Sequence, residues 1–277
     1  MRRLSIIIAT FNSAPDIRRC LRSLQQHPPS VDHEVLIVDN ASSDETVLIV
    51  RLEFPHVRVV PLERNIGFAA ANNVGITASH GELLLLLNPD TEVRAGAVDG
   101  LVATLDHDPQ VVACGPRLLD RQGRAELSFG RMLGPLNECR QKILVRGHAA
   151  RWPLVASYVE RITRRAGDHD WISGACLCVR RSAAEAAGLL DERYFLYAED
   201  VDFCAALRQG GGLIRFVPDV EVLHLRGQSR VSAPAASEAA YRRSQLAFYA
   251  KHHPVWVRWL RWYLQVRGRL PDHSRME

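Results

Sequence analysis

The sequence lacks the features that mark membrane-spanning, secreted and dinucleotide-binding proteins. Its uninterrupted run of five leucines, Leu83–Leu87, is far shorter than the ~20 apolar residues that cross a bilayer. The first residues lead straight into an apparent strand, which argues against a secretory signal peptide. No Gly-x-Gly-x-x-Gly follows this strand and no Walker lysine is present, so Rossmann dinucleotide and P-loop sites are disfavoured.

Cysteine is scarce, and its spacing matches no zinc or redox motif. The six cysteines are scattered, mostly inside apolar segments. Cys176 and Cys178 are one residue apart, so on a strand they would share a face. This is not the spacing of a metal-binding or redox pair. We therefore expect buried free thiols and a cytoplasmic protein.

Charge is unevenly distributed between the body of the chain and its end. Residues 241–277 contain eight Lys or Arg against two acidic residues, a net charge of +6, whereas the remainder has 27 against 29, a net charge of −2. A neutral-to-acidic body argues against a nucleic-acid groove, so no nucleic-acid partner is expected. The basic end indicates a local contact with something anionic.

Strand and helix patterns alternate through the first part of the chain. Apolar, β-branched runs predict strands, and helix start signals such as Ser13 and Pro15 follow them. Short loops between the alternating strands and helices imply right-handed crossovers and a parallel sheet. We predict an α/β fold in which a mostly parallel central sheet is flanked by helices. The predicted strands are residues 4–10, 35–38, 57–61, 83–87 and 111–115.

The pattern loosens in residues 117–170, where we expect a substrate-specific insertion with a helix at 136–144. Strand character returns over residues 171–179. Two Ser-x-x-Glu sequences, starting at Ser42 and Ser182, predict capping boxes for the helices beside them.

The first candidate site follows the leucine run, where Asn88, Pro89 and Asp90 end the predicted central strand. In open α/β sheets, ligands bind outside the carboxyl ends of the strands. A carboxylate there, with the amide oxygen of Asn88 two residues before it, suits a hard divalent cation that bridges to phosphate. The alternative is an ordinary turn, because Asn-Pro-Asp is common turn chemistry.

The second candidate site is the acidic cluster Glu199, Asp200 and Asp202, which follows an aromatic segment at 194–197. Acids in a first helical turn are favoured by the helix dipole, so capping is the simple interpretation. A cap needs only one acid, however, and crowding raises the proton affinity of at least one carboxyl group. We therefore favour a general base in this cluster.

The third candidate site is His224, which ends an alternating strand beside Arg226 and Arg230. A lone histidine is usually structural, but a histidine near a second acidic site can bind a metal through its neutral imidazole. The two arginines are suited to bind phosphate.

Together these segments resemble the family 2 inverting glycosyltransferases of the GT-A fold, and most closely a bacterial rhamnosyltransferase-like branch. Each motif is short, but the motifs occur in the family's order, and only the insertion is unmatched. The matching segments are SIIIATFN (5–12), VDNASSD (38–44), NIGFA (65–69), NPD (88–90), WISGA (171–175), EDVD (199–202) and His224.

The resemblance implies a role for individual residues. Asp39 would bind the base of a nucleotide sugar, and Asp200 would deprotonate the acceptor hydroxyl. Asp90 and His224 would hold Mg²⁺ or Mn²⁺ on the diphosphate. The other implied residues are Thr10, Asn12, Asn65, Gly67, Asn88 and Arg226 for the donor, and Glu199, Trp171 and Gly174 for the acceptor and the sugar pocket.

One residue departs from the family pattern. The family's metal motif is usually Asp-x-Asp, and here Asn88 replaces the first acid. An amide oxygen can coordinate a metal or orient a water molecule, but it carries no charge. The resemblance thus implies a metal-dependent enzyme whose metal is held by less charge than in the usual motif.

The implied function is transfer of a sugar, with inversion, from a nucleoside-diphosphate sugar such as dTDP-rhamnose to a glycan or polyprenyl-linked acceptor in cell-surface polysaccharide synthesis. A sugar-1-phosphate nucleotidyltransferase is an alternative, but the glycine- and lysine-rich phosphate loop typical of that class is absent. A non-catalytic nucleotide-sugar-binding protein is another, although it would be expected to lack Asp90 or Asp200, and both are present.

We expect the GT-A domain to span residues 1–235, with a nucleotide-sugar half (1–115) and an acceptor half (116–235). Amphipathic basic helices would follow over residues 236–277.

One predicted helix of this C-terminal region carries an aromatic and aliphatic stripe, with Arg258 and Arg261 on the opposite side. It is too short and too charged to cross a bilayer, but it suits a helix at lipid headgroup level on the inner face of the cell membrane. The alternatives are packing on the catalytic domain and a homodimer contact. The stripe consists of Trp256, Val257, Trp259, Leu260, Tyr263 and Leu264.

Overall fold

A computed structural model describes residues 3–225 and 234–271, with side chains in the second range described from residue 237. A mixed α/β sheet forms its centre. The strands are β1 (Leu4–Thr10), β2 (His33–Asp39), β3 (Arg58–Pro61), β4 (Leu83–Leu87), β5 (Thr91–Val93), β6 (Val111–Leu119), β7 (Phe129–Gly130), β8 (Gly167–Asp168), β9 (Trp171–Ile172), β10 (Cys176–Arg180) and β11 (Leu213–His224). The helices are α1 (Ala14–Gln26), α2 (Thr46–Glu53), α3 (Phe68–Ala78), α4 (Ala97–His107), α5 (Pro135–Ala149), α6 (Pro153–Ile162), α7 (Arg181–Ala186), α8 (Glu199–Gln209), α9 (Pro234–His252) and α10 (Pro254–Val266).

The central sheet is mostly parallel, as predicted. Its strand order is β3-β2-β1-β4-β10-β6-β11-β5, and β8 pairs with β11. Strands β3, β2, β1 and β4 are parallel to one another, and β11 is parallel to β6. Strand β10 lies antiparallel between β4 and β6. The carboxyl ends of the parallel strands and the amino end of β10 therefore share one edge of the sheet.

The leucine run is the centre of the core. All five side chains of Leu83–Leu87 are buried. The odd-numbered leucines pack with α1, α2 and α4 on one face of the sheet, and the even-numbered ones pack with α3, α8 and α9 on the other. The prediction of a strand covered on both faces is confirmed, because side chains alternate across a strand.

The cysteines of the described chain are free thiols, and most are buried. Cys176 and Cys178 point to the same face of β10, as predicted, and pack in the core on the α1 side. Cys139 in α5 is the exposed exception.

Both predicted capping boxes are wrong. The hydroxyl of Ser42 donates to Asp39 at 2.6 Å, and α2 begins at Thr46 without a side-chain cap. Ser182 already lies inside α7, because this helix starts at Arg181 directly after β10. The hydroxyl of Ser42 is therefore committed to Asp39, and α7 begins where β10 ends, so neither serine caps a helix.

Several element boundaries also differ from the prediction. The strand predicted over residues 171–179 is two strands, β9 and β10, separated at residues 173–175. Strand β6 continues to Leu119, and the helix predicted at 136–144 extends over Pro135–Ala149. Helix α4 and the short strand β5 were not predicted.

Helix α9 is fastened to the body through its middle and its end. The buried carboxylate of Glu138 in α5 accepts hydrogen bonds from Tyr241, Gln245 and Tyr249. These hydrogen bonds and that of Lys142 lower the pKa of Glu138, although burial opposes them.

Near the end of α9, Lys251 and His252 contact the buried carboxylate of Asp202 in α8 at 2.8 and 2.6 Å. Helix α9 thereby joins the insertion to the helix that begins at Glu199. The division of the chain at residue 235 stays a prediction.

Helix α10 divides the predicted stripe between the core and the surface. Val257 and Leu260 pack against the core on the α3 side, and Leu264 is fully buried. Part of the stripe thus packs on the catalytic domain, which was the alternative interpretation. The aromatic rings of Trp256, Trp259, Trp262 and Tyr263 stay 48–63% exposed. Within the described residues, no helix is long and apolar enough to cross a membrane.

Candidate active site

The predicted site residues gather at the shared edge of the sheet. Thr10 and Asp39 end β1 and β2, Asn88 follows β4, and His224 ends β11. Gly174 lies just before the amino end of β10, which reaches the same edge because β10 runs antiparallel. The topology therefore brings together residues that are far apart in the sequence.

Asp39 is held rigidly at the end of β2. Its buried carboxylate accepts hydrogen bonds from the Thr10 hydroxyl at 2.9 Å and from the backbone N–H and hydroxyl of Ser42 at 2.9 and 2.6 Å. A carboxylate has about four acceptor positions, so one remains for a ligand. Thr10 thus positions Asp39.

Asn12 joins the loops after β1 and β2. Its side-chain oxygen accepts a hydrogen bond from the backbone N–H of Ser43 at 2.8 Å, and its own N–H donates to Ser42 at 2.9 Å. Asn12 and Ala41 both have positive φ angles, 49° and 60°. Such backbone strain in non-glycine residues is typical of binding sites.

Gly67 lies where two loops meet closely. Its φ is +91°, and an added Cβ would be 2.7 Å from the carbonyl oxygen of Phe195. Asn65 accepts a hydrogen bond from the N–H of Gly67. The Asn40 side chain donates to the carbonyl of Gly67 and accepts from the N–H of Ile66. Only glycine fits here, and Asn40 fixes the loop around it.

Asp90 and His224 are brought together by the pairing of β5 with β11. Asp90 Oδ1 lies 3.5 Å from His224 Nε2, and the N–H of Leu225 donates to the carbonyl of Asp90 at 2.8 Å. The sequence-based prediction that Asp90 and His224 lie at one site agrees with this geometry.

Asn88 forms a turn and also presents an unpartnered oxygen. Its carbonyl accepts hydrogen bonds from the backbone N–H and the hydroxyl of Thr91, so the turn interpretation is correct locally. Its side-chain Oδ1 is buried and has no hydrogen-bond donor among the described residues. Leaving a buried acceptor unsatisfied costs about 1–3 kcal/mol, so this oxygen fits a site that a cation or water completes.

Glu126 is a third charged side chain at this position, and it was not predicted. Its Oε2 lies 3.1 Å from Nδ1 of His224, on the opposite side of the ring from Asp90. Burial opposes the charged imidazole, but the two neighbouring carboxylates dominate and raise the pKa of His224 to about 9.

The donor set fits a hard divalent ion. A carboxylate, an imidazole and an amide oxygen are suitable ligands for Mn²⁺ or Mg²⁺. Within the described residues, no group of three or more His, Cys, Asp or Glu has the geometry of a metal site. A site with two charged or imidazole ligands leaves positions for the phosphates of a nucleotide, as is usual for Mg²⁺.

Asp200 lies at the start of α8, against Gly174. Its Oδ2 accepts a hydrogen bond from the Gly174 N–H at 2.9 Å, and its Oδ1 accepts from the Val201 N–H at 2.8 Å. Burial raises the pKa of Asp200 above its usual range, although these two N–H groups favour the ionised form. A Cβ on Gly174 would lie 3.2 Å from the Cβ of Asp200, so a small residue keeps this approach open.

Glu199 is the more deeply buried neighbour. Its Oε2 has no hydrogen-bond partner among the described residues. Burial, together with the charge of Asp200, raises the pKa of Glu199 well above its usual range. The crowding of the acids therefore raises the pKa of Glu199, whereas the raised pKa of Asp200 comes from burial.

The turn before α8 is strained. Tyr197 and Ala198 both have positive φ angles, 72° and 69°, and each such residue costs about 1–3 kcal/mol. The carbonyl of Phe195 accepts from the N–H of Phe68 at 2.7 Å, and that of Leu196 accepts from Ser244 in α9 at 2.8 Å. The surrounding structure thus holds Asp200 in place through a strained turn.

Two other predicted groups stand apart from these clusters. Trp171 is buried on the α3 side of the sheet, and its indole N–H donates to the carbonyl of Arg131 at 2.9 Å. Because its only polar group is occupied, the Trp171 ring can contribute only to the wall of a pocket. Arg226 and Arg230 lie outside the described residues.

Comparison with known proteins agrees with this architecture. The model of glycosyl transferase family 2 matches residues 5–185, which contain β1 to β4 and the turn with Asp90. The chain belongs to glycosyl transferase family 2. It is therefore a glycosyltransferase, and the nucleotidyltransferase and non-catalytic alternatives are set aside.

Two curated relatives of this family 2 glycosyltransferase indicate its branch. It is 34% identical to the N-acetylglucosaminyl-diphospho-decaprenol L-rhamnosyltransferase of Mycobacterium tuberculosis, across 98% of this chain and 92% of that protein. It is 28% identical to the low-salt glycan biosynthesis hexosyltransferase Agl10 of Haloferax volcanii, across 80% of this chain and 66% of that protein.

Solved structures support the GT-A fold. GalNAc-T7 with UDP, GalNAc and Mn²⁺ matches 90% of the chain with a TM-score of 0.63 at 19% identity. A mannosyltransferase of Pyrobaculum calidifontis in complex with GDP-Man and Mn²⁺ matches 90% with a TM-score of 0.60 at 19% identity. The glycosyltransferase chain spans 50% and 64% of these two structures, respectively.

Sequence reasoning missed residues that position other groups of the glycosyltransferase by hydrogen bonds. Asn40 and Ser42 lie inside a recognised motif, and their polar side chains beside Asp39 were a usable signal. Glu126 lies in the segment at 117–170, where the sequence offered no recognisable motif and no local pattern distinguishes it.

Proposed function

We propose that this glycosyltransferase transfers a sugar, with inversion, from a nucleoside-diphosphate sugar to a lipid-linked saccharide used in cell-surface glycan synthesis. The convergence of Asp39, the Asp90–His224 pair and Asp200 on one edge of the sheet carries this proposal. The Mycobacterium tuberculosis relative is named as a rhamnosyltransferase acting on a decaprenol diphosphate, which favours dTDP-rhamnose as donor and a polyprenyl-linked acceptor.

The donor would lie across the ends of β1, β2 and β4. Asp39, fixed by Thr10, would accept a hydrogen bond from the base. Asn12, Asn65 and Gly67 would shape the surrounding loops.

Asp90 and His224 would hold Mg²⁺ or Mn²⁺ on the diphosphate, with the buried oxygen of Asn88 facing the same site. When bound, this ion supplies positive charge that stabilises the departing nucleoside diphosphate. Arg226 is assigned to the phosphates by resemblance. Two structurally similar glycosyltransferases were solved with Mn²⁺, which supports this metal class.

Asp200 would accept the proton of the acceptor hydroxyl as the hydroxyl oxygen attacks the anomeric carbon. Attack from the face opposite the leaving group inverts that carbon in one displacement, without a covalent enzyme intermediate. Glu199, whose pKa is raised by burial and by the charge of Asp200, would donate a hydrogen bond in its protonated form to the acceptor or to a bridging water. Gly174 keeps space beside the base, with Trp171 as part of the wall of the sugar pocket.

A thermal-shift panel tests the donor class. UDP-, dTDP- and GDP-sugars are added with and without Mn²⁺ to the wild type and to Asp90→Ala. One nucleotide sugar should raise the melting temperature of the wild type only with Mn²⁺, and this increase should be lost in Asp90→Ala. An equal increase without metal would contradict the proposed site.

We also propose that α10 contacts an anionic membrane surface. Its exposed aromatic rings are interleaved with arginines, and no acidic residue lies between Pro254 and Pro271. This composition suits a helix at headgroup level, where each basic residue contributes about 1 kcal/mol. A two-fold contact between copies through the same face would bring like charges together. The exposed arginines are Arg258, Arg261, Arg267 and Arg269.

Liposome flotation at low salt tests this contact. The protein should float with vesicles of phosphatidylcholine and phosphatidylglycerol but not with phosphatidylcholine alone. The triple variant W256S/W259S/W262S should lose this binding, whereas Leu52→Ser, which alters an exposed residue of α2, should keep it. Absence of binding to the anionic vesicles, or a dimer that the triple variant dissociates, would overturn the proposal.

A further inference from the structure

His224 lies between two carboxylates that face different ring nitrogens. Its Nε2 is 3.5 Å from Asp90, and its Nδ1 is 3.1 Å from Glu126. Asp90 and Nε2 therefore face the same space. An imidazole that binds a metal through Nε2 must be neutral and carry its remaining proton on Nδ1, and this proton needs an acceptor.

Glu126 is placed by the backbone of the sheet. Its N–H donates to the carbonyl of Leu118 at 2.8 Å, and the preceding Ala125 forms a bridge with Leu119. Strand β6, which ends there, pairs in parallel with β11, the strand that ends in His224. The side chain of Glu126 is only 8% exposed. The position of its carboxylate is thus set by strand register rather than by a flexible loop.

We propose that Glu126 is the positioning residue of the metal site: its carboxylate accepts the Nδ1–H of His224, and this directs Nε2 toward the divalent ion beside Asp90. The inference rests on the proposed function, which assigns the metal to Asp90 and His224. A carboxylate behind a metal-binding histidine fixes its tautomer and makes the ring a stronger ligand. Glu126 thereby compensates, through the imidazole, for the charge that Asn88 does not bring.

The test measures Mn²⁺ binding and the histidine tautomer in separate experiments. Titration with Mn²⁺ alone, followed by the electron paramagnetic resonance of the free ion, gives the affinity. Glu126→Ala should weaken it by about 10–100-fold, the usual effect of losing such a partner. Glu126→Gln should retain most of the affinity, since its amide oxygen also accepts a hydrogen bond. Glu92→Gln, two residues after Asp90, removes a nearby charge without contacting His224 and should leave the affinity unchanged.

Long-range ¹H–¹⁵N NMR with Mg²⁺ reports the tautomer of His224. The wild type should show the proton on Nδ1, and Glu126→Ala should show a mixture of tautomers. An affinity loss without a change of tautomer would make Glu126 a direct ligand and overturn the inference. If Glu126→Ala does not fold, Glu126→Gln decides through the same two measurements, because a Gln variant with a changed tautomer contradicts the proposed geometry.

His224→Ala separates this inference from the proposed function. If His224→Ala leaves Mn²⁺ affinity unchanged, the metal assignment itself is wrong. If His224→Ala weakens binding while Glu126→Ala changes neither affinity nor tautomer, the metal site stands and only the role of Glu126 is refuted.

Discussion

At the scale of single residues, the site contains two adjacent carboxyl groups in different surroundings. Two backbone N–H groups donate to Asp200 and favour its ionised form, whereas Oε2 of Glu199 has no partner among the described residues. The residue with donors suits a base, whereas burial without donors favours the protonated form of Glu199. When the surroundings of two neighbouring acids move their pKa values apart, one site can supply both a proton acceptor and a proton donor.

The variant Asp200→Asn should lose about 10²–10⁴ in kcat, because an amide cannot accept the proton of the acceptor hydroxyl. The Kd of the donor, measured by calorimetry, should stay near that of the wild type. Glu199→Gln is the matched comparison, since Gln still donates a hydrogen bond and should lose less. Near-normal turnover of Asp200→Asn would refute its role.

The pH dependence follows from the direction of the pKa shift. Burial raises the pKa of Asp200 above its ordinary value of about 4. Activity requires the ionised form, so kcat/KM should fall as the pH drops through this raised pKa, and the acid limb should lie at a higher pH than for an unperturbed aspartate. A profile of kcat/KM against pH checks this. The raised pKa of Asp200 also predicts that this residue lowers the free energy of unfolding as the pH rises. At higher pH, folding must bury the ionised carboxylate.

At the scale of elements, the sequence predicted those with a clear hydrophobic pattern. The leucine strand β4 was found from its continuous apolar run, and the strand leading to His224 from its alternation. Residues 171–179 were misread as one strand, because the break at Gly174 serves its contact with Asp200, 26 residues later. Ser42 was misread as a cap for a different reason, because its hydroxyl is committed to the site residue Asp39, three positions earlier, and not to the next helix.

Gly67→Ala tests the close approach of two loops. The added Cβ would meet the carbonyl of Phe195, and the φ of +91° disfavours any side chain. Gly123→Ala is the control, because Gly123 also has a positive φ, +73°, but nothing within 4 Å of an added Cβ. Urea unfolding should show a larger loss for Gly67→Ala than the ~1–3 kcal/mol expected from backbone strain alone. Equal losses would mean that the contact with Phe195 is unimportant.

At the scale of the whole molecule, helix α9 holds helix α8, which carries Asp200, through contacts with Asp202. Asp202 lies two residues after Asp200 in the same helix. It accepts hydrogen bonds from Tyr194 and Lys251 and also contacts His252. Neither the contacts of Asp202 with α9 nor those of Glu138 with α9 could be read from sequence, because they join residues ~50–110 positions apart without any periodic signal.

Asp202→Ala should destabilise the protein by about 1–3 kcal/mol, because it leaves the buried Tyr194 hydroxyl without its acceptor and removes one of the two carboxylates that pair with Lys251. Asp191→Ala is the control, since Asp191 also pairs with Lys251 but is more exposed, and it should lose about 1 kcal/mol. Urea denaturation measures both. Similar losses for the two variants would show that α9 is not held through Asp202.

The most direct test of the account is NMR of the transfer reaction. The wild type is incubated with dTDP-rhamnose, Mn²⁺ and a diphosphate-linked N-acetylglucosaminyl polyprenol, and the anomeric proton of the product is compared with that of the donor. The account predicts an inverted anomeric configuration, one nucleoside diphosphate released per sugar transferred, and loss of both signals in Asp200→Asn. Retention of configuration, or transfer that persists without metal, would contradict it.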